Sequence, residues 1–396
     1  VLPYPLRIGP EEAAAVEAAV SAIWEAAERV TEVFLQNPAL RRVFGYGPLQ
    51  EEVILQDPGY GPAVPLGRMD LFFVGGRPRI LEFNTDGTAG WHYAAALDAL
   101  YREGTAGFPC EPSLPARLLE TLLRCWHAWS RGERDVPRAA LVDFREVGTR
   151  AEQEALAAFF TSRGLPTTVA DPRDLRFEDG RLRGPSGPLD LVYRRLVSEE
   201  AFARPGDCSA LLEAYREGAV CLVGSFRSDP AWSKTFLALL SDPDLHPLWG
   251  GPPSTAAAEA VPWTRIVREG ATLFEGRRED LRRLLLENRP RFLLKPSRSL
   301  EGRGVVAGPY TKGAPWREAV ERALETPGAF VVQEFLRPGS AAFPDGVRRV
   351  PQPGAFVLAG RLAGFWGRAG QTEVIAPGHR EWYLPVEAGS SVGRNS

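Results

Sequence analysis

Arg68-Met-Asp-Leu-Phe-Phe-Val-Gly-Gly-Arg-Pro-Arg-Ile-Leu-Glu-Phe-Asn84 alternates polar and apolar side chains on either side of Gly75-Gly76, as the two strands of a β-hairpin do. A three-residue turn over Gly75, Gly76 and Arg77, with a glycine at its left-handed position, sets Asp70 opposite Glu82 and Arg68 opposite Asn84. These four share one face, while Met69, Leu71, Phe73, Leu81 and Phe83 take the other. Carboxylates directly opposite each other have Cβ atoms roughly 4.5–5.5 Å apart and repel. A cation between them removes the repulsion, and magnesium prefers oxygen ligands at about 2.0–2.1 Å. Asn84 adds a neutral oxygen and Arg68 a fixed positive group. The same pattern also fits a solvent-facing polar side without metal, on which Arg68 alone relieves the repulsion.

Further along, Arg291-Phe-Leu-Leu-Lys-Pro-Ser-Arg-Ser-Leu-Glu-Gly-Arg-Gly-Val-Val306 is a strand ending in a lysine, a loop, and a second strand. Pro296 bars helix, and Gly302 and Gly304 let backbone N–H groups turn towards an anion. A loop over nucleotide phosphates, with Lys295 reaching in, satisfies this pattern; so does a plain hairpin turn beside a surface lysine. There is no GxxxxGK[ST], and Gly302-x-Gly304 leads into extended Val-Val-Ala instead of a helix, unlike a dinucleotide fingerprint. The run Phe330-Val-Val-Gln-Glu-Phe-Leu336 reads either as a buried strand with a polar end or as a purine edge contact followed by a ribose carboxylate. HExxH is absent, as is a GxSxG elbow leading from a strand into a helix, and the four histidines are dispersed.

At 396 residues the chain is large for one core and is expected to form several lobes. A net charge of -3 leaves no basic footprint for nucleic acid. The four cysteines form no CxxC pair and read as free thiols of a cytoplasmic protein, and no apolar run of membrane-spanning length interrupts the chain. Only three of the 47 basic residues are lysine: Lys234, Lys295 and Lys312. Where arginine serves almost everywhere, a surviving lysine marks a place that wants a compact point charge.

The expected class is α/β (α+β). Residues 1–135 hold an amphipathic helix over 10–36, the hairpin, and helices over 91–103 and 114–130, closed by a linker at 131–137. Residues 136–228 alternate strands and helices as a parallel, Rossmann-like sheet does. Residues 229–386 carry helices over 231–241 and 276–287, the lysine strand and loop, a helix over 315–325 and a hairpin across 355–367. A flexible tail occupies 387–396.

Together these motifs resemble the ATP-grasp superfamily. Asp70, then Glu82-x-Asn84 with Arg68 ahead, is similar to its magnesium signature, and Glu82-Phe-Asn-Thr-Asp86 to the segment closing that site. Lys295-Pro with Gly302-x-Gly304-Val is similar to the nucleotide lysine and phosphate loop, and Gln333-Glu334-Phe-Leu336 to the adenine hinge. The magnesium strands precede the loop by some two hundred residues, the order of the circularly permuted, glutathionylspermidine synthase-like families. Asp190-Leu-Val-Tyr-Arg-Arg195, Leu212-Glu-Ala-Tyr-Arg-x-Gly218 and Ser233-Lys234 also resemble those families, so that the resemblance covers most of 65–370. Ser299 stands where the loop often has its first glycine.

The resemblance implies ATP and Mg2+ as cofactors, and small-molecule or peptide carboxylate and amine substrates joined through an acyl phosphate. It implies Asp70, Glu82 and Asn84 as metal ligands, and Lys234, Lys295, Ser299, Gly302, Gly304, Gln333, Glu334 and Leu336 at the nucleotide. Arg68 would stabilise an oxyanion and Asp86 orient the amine. Two other outcomes stay open on sequence alone: a kinase-like transfer that ends at a phosphorylated product, and a nucleotide-binding scaffold without catalysis.

Overall fold

Helix Pro10–Gln36 starts where Glu12 accepts the Gly9 N–H at 3.0 Å and Pro10 occupies the first turn. Its stripe of Val16, Val20, Ile23, Ala27, Val30 and Phe34 is wholly buried and packs in one core with Met69, Leu71, Ile80 and Phe83. The helix therefore covers the apolar face of the hairpin and leaves the carboxylate face to the other side. The computed structural model describes residues 1–105, 113–132, 136–299, 302–375 and 381–389.

Three sheets organise the chain. The first is antiparallel and runs Glu381–Leu384, Arg361–Gly370, Arg348–Leu358, Leu66–Val74, Arg77–Asn84, with Ala341–Ala342 beside Arg348–Leu358. The second is parallel, in the order Cys221–Val223, Leu191–Arg194, Ala139–Val142, Thr167–Ala170, and realises the βαβ pattern read from 136–228. The third is antiparallel, in the order Thr264–Ile266, Phe330–Glu334, Phe292–Pro296, Val306–Ala307, with helices Leu281–Glu287 and Gly313–Glu325 sharing its core.

The hairpin differs from expectation in a way that matters to the site. The turn has two residues, Gly75 and Gly76, at φ 59° and 75°, so Val74 pairs with Arg77. A β-bulge at Leu81 then adds one residue to the second strand, and beyond it Asp70 pairs with Glu82 and Arg68 with Asn84 as expected. The bulge also moves Leu81 from the core face to the cleft, while Ile80 takes the core position opposite Leu71.

Elsewhere the span 276–287 begins as a hairpin turn and strand, and its helix starts only at Leu281, where Asp280 caps the Arg283 N–H at 2.8 Å. The span 231–241 is two helices, Asp229–Trp232 and Thr235–Ser241, broken by an extended Ser233. Val386–Ala388 is a strand paired in parallel with Leu6–Ile8 instead of the start of a tail, and residues 390–396 lie outside the described residues. So do residues 133–135 of the expected linker and Cys110; Cys125, Cys208 and Cys221 are buried free thiols. No helix among the described residues is long and apolar enough to cross a membrane.

Asp86 does not take the substrate position expected of it. It is fully buried against Arg194 at 2.6 Å and accepts the Ser198 N–H at 2.7 Å, tying the end of the hairpin to the parallel sheet. Arg194 also donates to the carbonyls of Gly224 and Leu196 and lies over the Phe226 ring. Removing one member of a buried pair strands the other charge. Asp86→Ala is expected to lower stability by roughly 3–5 kcal/mol in urea denaturation.

Candidate active site

Asp70 is almost completely buried, and its carboxylate is answered by two guanidiniums. Arg68 donates to it through Nε at 2.6 Å and Nη2 at 3.0 Å, and Arg368 through Nη2 at 2.6 Å. Burial alone would push the Asp70 carboxyl up, but Arg368 and Arg68 outweigh it and hold the group well below the usual carboxylate range. Arg68 spends its remaining nitrogen, Nη1, on the Ala89 carbonyl at 2.7 Å, and its plane lies 4.6 Å from the Trp366 ring. All three of its nitrogens are thus engaged in holding Asp70 and the Ala89 carbonyl, instead of being left over for the oxyanion expected of it. Gly354, paired with Asp70 on the neighbouring strand, permits this arrangement. A Cβ there would stand 2.8 Å from Arg68 Cδ and 3.0 Å from Asp70 Oδ1.

Glu82 leans into the cleft, with Lys234 Nζ 3.6 Å from its Oε2. The Asn84 amide nitrogen stands between the carboxylates, 3.3 Å from Asp70 Oδ2 and 3.4 Å from Glu82 Oε1. The positive end of a dipole at that point occupies the place where a cation would be favoured, and an amide flip would turn Asn84 Oδ1 inwards. No group of three or more His, Cys, Asp or Glu side chains converges among the described residues. Two carboxylates, an amide oxygen and ligand phosphates suit magnesium, which is commonly held by one or two carboxylates plus phosphate. The donor chemistry fits that ion.

Two of the three lysines reach the same cleft. The break at Ser233 turns the Lys234 N–H to the Ser297 carbonyl at 2.8 Å, outside any helix, and sends Nζ to the Ser299 carbonyl at 2.9 Å. Lys295 projects from its strand to Gln333 Oε1 at 2.8 Å and to the Leu81 carbonyl at the bulge at 3.3 Å. Gln333 is in turn fixed by a 3.1 Å bond to Thr264. Burial, together with the like charge of Lys234, brings Lys295 down to about 8 against the pull of Glu82 and Asp70.

The cleft encloses about 720 Å³ of space open to solvent. Glu82, Lys234, Lys295, Ser299, Gly302, Gln333, Glu334 and Leu336 all line it, brought together from four separate parts of the chain. Its apolar wall includes Phe72, Leu81, Leu336 and Ile375. Gly304 is not on the wall: at φ 74° it folds the loop back so closely on Pro296 that a Cβ would meet that ring at 2.8 Å. Asp70, Arg68 and Asn84 lie behind Glu82. Sequence reasoning missed Arg368, Gly354, Gln352 and the 373–375 wall. An arginine within the otherwise small run Gly367-Arg-Ala-Gly370 was the one available signal for Arg368.

No family model and no curated protein matches the sequence. Among solved structures, the fold is similar to that of a glutathione synthetase-like effector from Globodera pallida in its apo form. The two superpose with a TM-score of 0.60 over 97% of this chain and 89% of that one, at 13% identity. The likeness is one of fold. It agrees, at that level, with the α/β (α+β) class expected from the motifs. A protein from Methylobacillus flagellatus, provisionally named a gamma-glutamylcysteine synthetase, is 12% identical over 91% of this chain and 87% of its own; its TM-score of 0.46 carries no argument.

An ammonium at about 8 in the folded chain and at the usual 10.5 when unfolded makes the unfolded state bind more protons between those values. The burial cost of Lys295 is therefore complete below pH 8 and disappears as pH rises through that window. Lys295→Met is expected to be more stable than the parent at pH 7, by up to roughly 3 kcal/mol. Chemical denaturation as a function of pH should find this gap closing towards pH 10.5.

Proposed function

We propose that this chain is an ATP- and magnesium-dependent carboxylate–amine ligase of the circularly permuted ATP-grasp type, working through an acyl phosphate. The observation that carries the reading is a single cleft in which Glu82 of the hairpin meets Lys234, Lys295 and the Gln333–Leu336 hinge. Charge supports it locally. Four cationic side chains (Arg68, Arg368, Lys234, Lys295) surround Asp70 and Glu82, a positive excess at this end of the cleft that suits phosphates, while Glu334 and Glu373 line other parts of its wall.

In this reading the apolar wall of Phe72, Leu81, Leu336 and Ile375 receives the base, and Glu334 is placed for the ribose. Lys295 and Lys234 hold phosphate oxygens, and the Ser299 hydroxyl, buried with no partner, supplies a further donor. Magnesium on Glu82, Asn84 and Asp70 would neutralise phosphate charge as the γ-phosphoryl group passes to the substrate carboxylate. Arg68 and Arg368 keep Asp70 ionised, and Arg368, whose Nε carries no partner, has donor capacity left for the oxyanion formed when the amine attacks. The acyl–phosphate bond then breaks, and phosphate leaves with the electron pair.

Two variants test this. In the parent, ATP with magnesium at a hundredfold its Kd should add about 2.7 kcal/mol of stability, seen as a raised melting temperature. Glu82→Gln should keep its fold but lose most of that rise, and its phosphate release with pooled carboxylates and amines should fall by about two to three orders of magnitude. Full stabilisation and full release in this variant would refute the metal role. Lys295→Arg is expected to weaken ATP at least about tenfold in calorimetry, because a guanidinium fork does not fit between Gln333 Oε1 and the Leu81 carbonyl. Phosphate release that requires both a carboxylate and an amine identifies a ligase; ADP formed together with a stable phosphorylated product, and no free phosphate, identifies a kinase instead.

A further inference from the structure

The phosphate loop carries an arginine whose side chain leaves the cleft. Ser297 is fixed on both sides of its peptide: its N–H donates to the Ala329 carbonyl at 2.8 Å, and its carbonyl accepts from the Lys234 N–H. Its hydroxyl donates to the Gly328 carbonyl at 2.8 Å. Ser299 turns into the cleft, with its carbonyl on Lys234 Nζ and its hydroxyl buried and unpartnered. Between them Arg298 points the opposite way. Its guanidinium carbon is 4.9 Å from the Tyr46 ring, Nε is 2.9 Å from Glu199 Oε1, and Nη1 reaches the Phe44 carbonyl at 3.4 Å.

These partners are themselves firmly held. Tyr46 stacks on Phe44 at 5.7 Å and meets Phe34 edge-on at the same distance. Glu199 lies on helix Ser198–Ala203, whose first N–H is held by Asp86 and which follows strand Leu191–Arg194 of the parallel sheet. Arg298 thus ties the loop at the triphosphate end of the cleft to an aromatic shelf and to the parallel sheet at once. With Nε and Nη1 committed outwards, the guanidinium does not face the phosphates.

We propose that Arg298 is a positioning residue: by docking on Tyr46, Phe44 and Glu199 it holds the Ser299 hydroxyl and the Lys234 ammonium where the terminal phosphates of ATP are received. The assignment rests on the ATP reading above. Its consequence is selective. Releasing Arg298 disturbs the phosphate end and leaves the base slot intact, since Phe72, Leu336 and Ile375 pack in a different apolar cluster from Phe44 and Tyr46. The anchor therefore matters for ATP and hardly at all for AMP.

Calorimetry with AMP and with ATP, both in excess magnesium, on the parent, Arg298→Ala, Glu199→Ala and the double variant tests this. A partly exposed ion pair with a ring contact predicts that Arg298→Ala binds ATP about five- to thirtyfold more weakly. AMP affinity should stay within about twofold, the scale of a surface substitution away from the ligand. Glu199→Ala should weaken ATP in the same direction, and the double variant should be no worse than Arg298→Ala alone, because both remove one anchor. Arg298→Lys, which keeps the charge near Glu199, should fall between parent and Arg298→Ala. Equal losses of AMP and ATP would overturn the proposal in favour of a general structural role. A neutral Glu199→Ala beside a weakened Arg298→Ala would overturn it in favour of direct phosphate contact. Unchanged ATP affinity in Arg298→Ala would also overturn it. A parent that binds neither nucleotide would instead refute the ATP reading on which it stands.

Discussion

A carboxylate with both oxygens removed from water has to find its counter-charge inside the protein. For Asp70 that counter-charge comes from two strands: Arg68 from its own and Arg368 from Arg361–Gly370, with the strand bearing Gly354 running between them. The arrangement fixes register across the middle of the sheet. A slip of one residue would turn Asp70 to the core under helix Pro10–Gln36 and leave two buried arginines without an anion. It also sets the two carboxylates apart, because Asp70 is held from behind by arginines while Glu82 opposite it lines the cleft.

The other site groups depend on departures from regular backbone. Lys234 arrives because the helix breaks at Ser233, freeing an N–H that the Ser297 carbonyl captures. Lys295 is steadied by a carbonyl that the bulge at Leu81 turns its way. Ser299 faces inwards while Arg298 faces out. In each case one local irregularity aims one polar group, and regular elements on either side make the aim rigid.

Residues whose chemistry is carried by local alternation were legible in the sequence. Asp70 opposite Glu82 and Arg68 opposite Asn84 both hold, although through offsetting features: the turn is one residue shorter than expected and the bulge restores the count. Periodicity sees parity, which a turn and a bulge can exchange, so the pairing was readable while the place of Leu81 was not. Lysine scarcity singled out Lys234 and Lys295, which both reach the cleft, whereas Lys312 is an exposed residue at a helix start. Asp86 failed because nothing near it in the chain reveals its burial: its partner Arg194 lies more than a hundred residues away, in another sheet. Arg368 and Gly354 were missed for the same reason, since only the pairing of distant hairpins gives them meaning.

That distant pairing has a bearing on how the molecule assembles. The hairpin bearing Asp70 and Glu82 is made before the parallel sheet, yet the strands that answer its buried charge, Arg348–Leu358 and Arg361–Gly370, are made after it. Until then Asp70 has only Arg68, and the edge of strand Leu66–Val74 that will receive Arg348–Leu358 is unpaired. Closing so long a loop is slow, and an open strand edge invites association with other chains in the meantime. The nascent chain therefore passes through a stage in which the parallel sheet can already form while the sheet bearing Asp70 waits for these two strands.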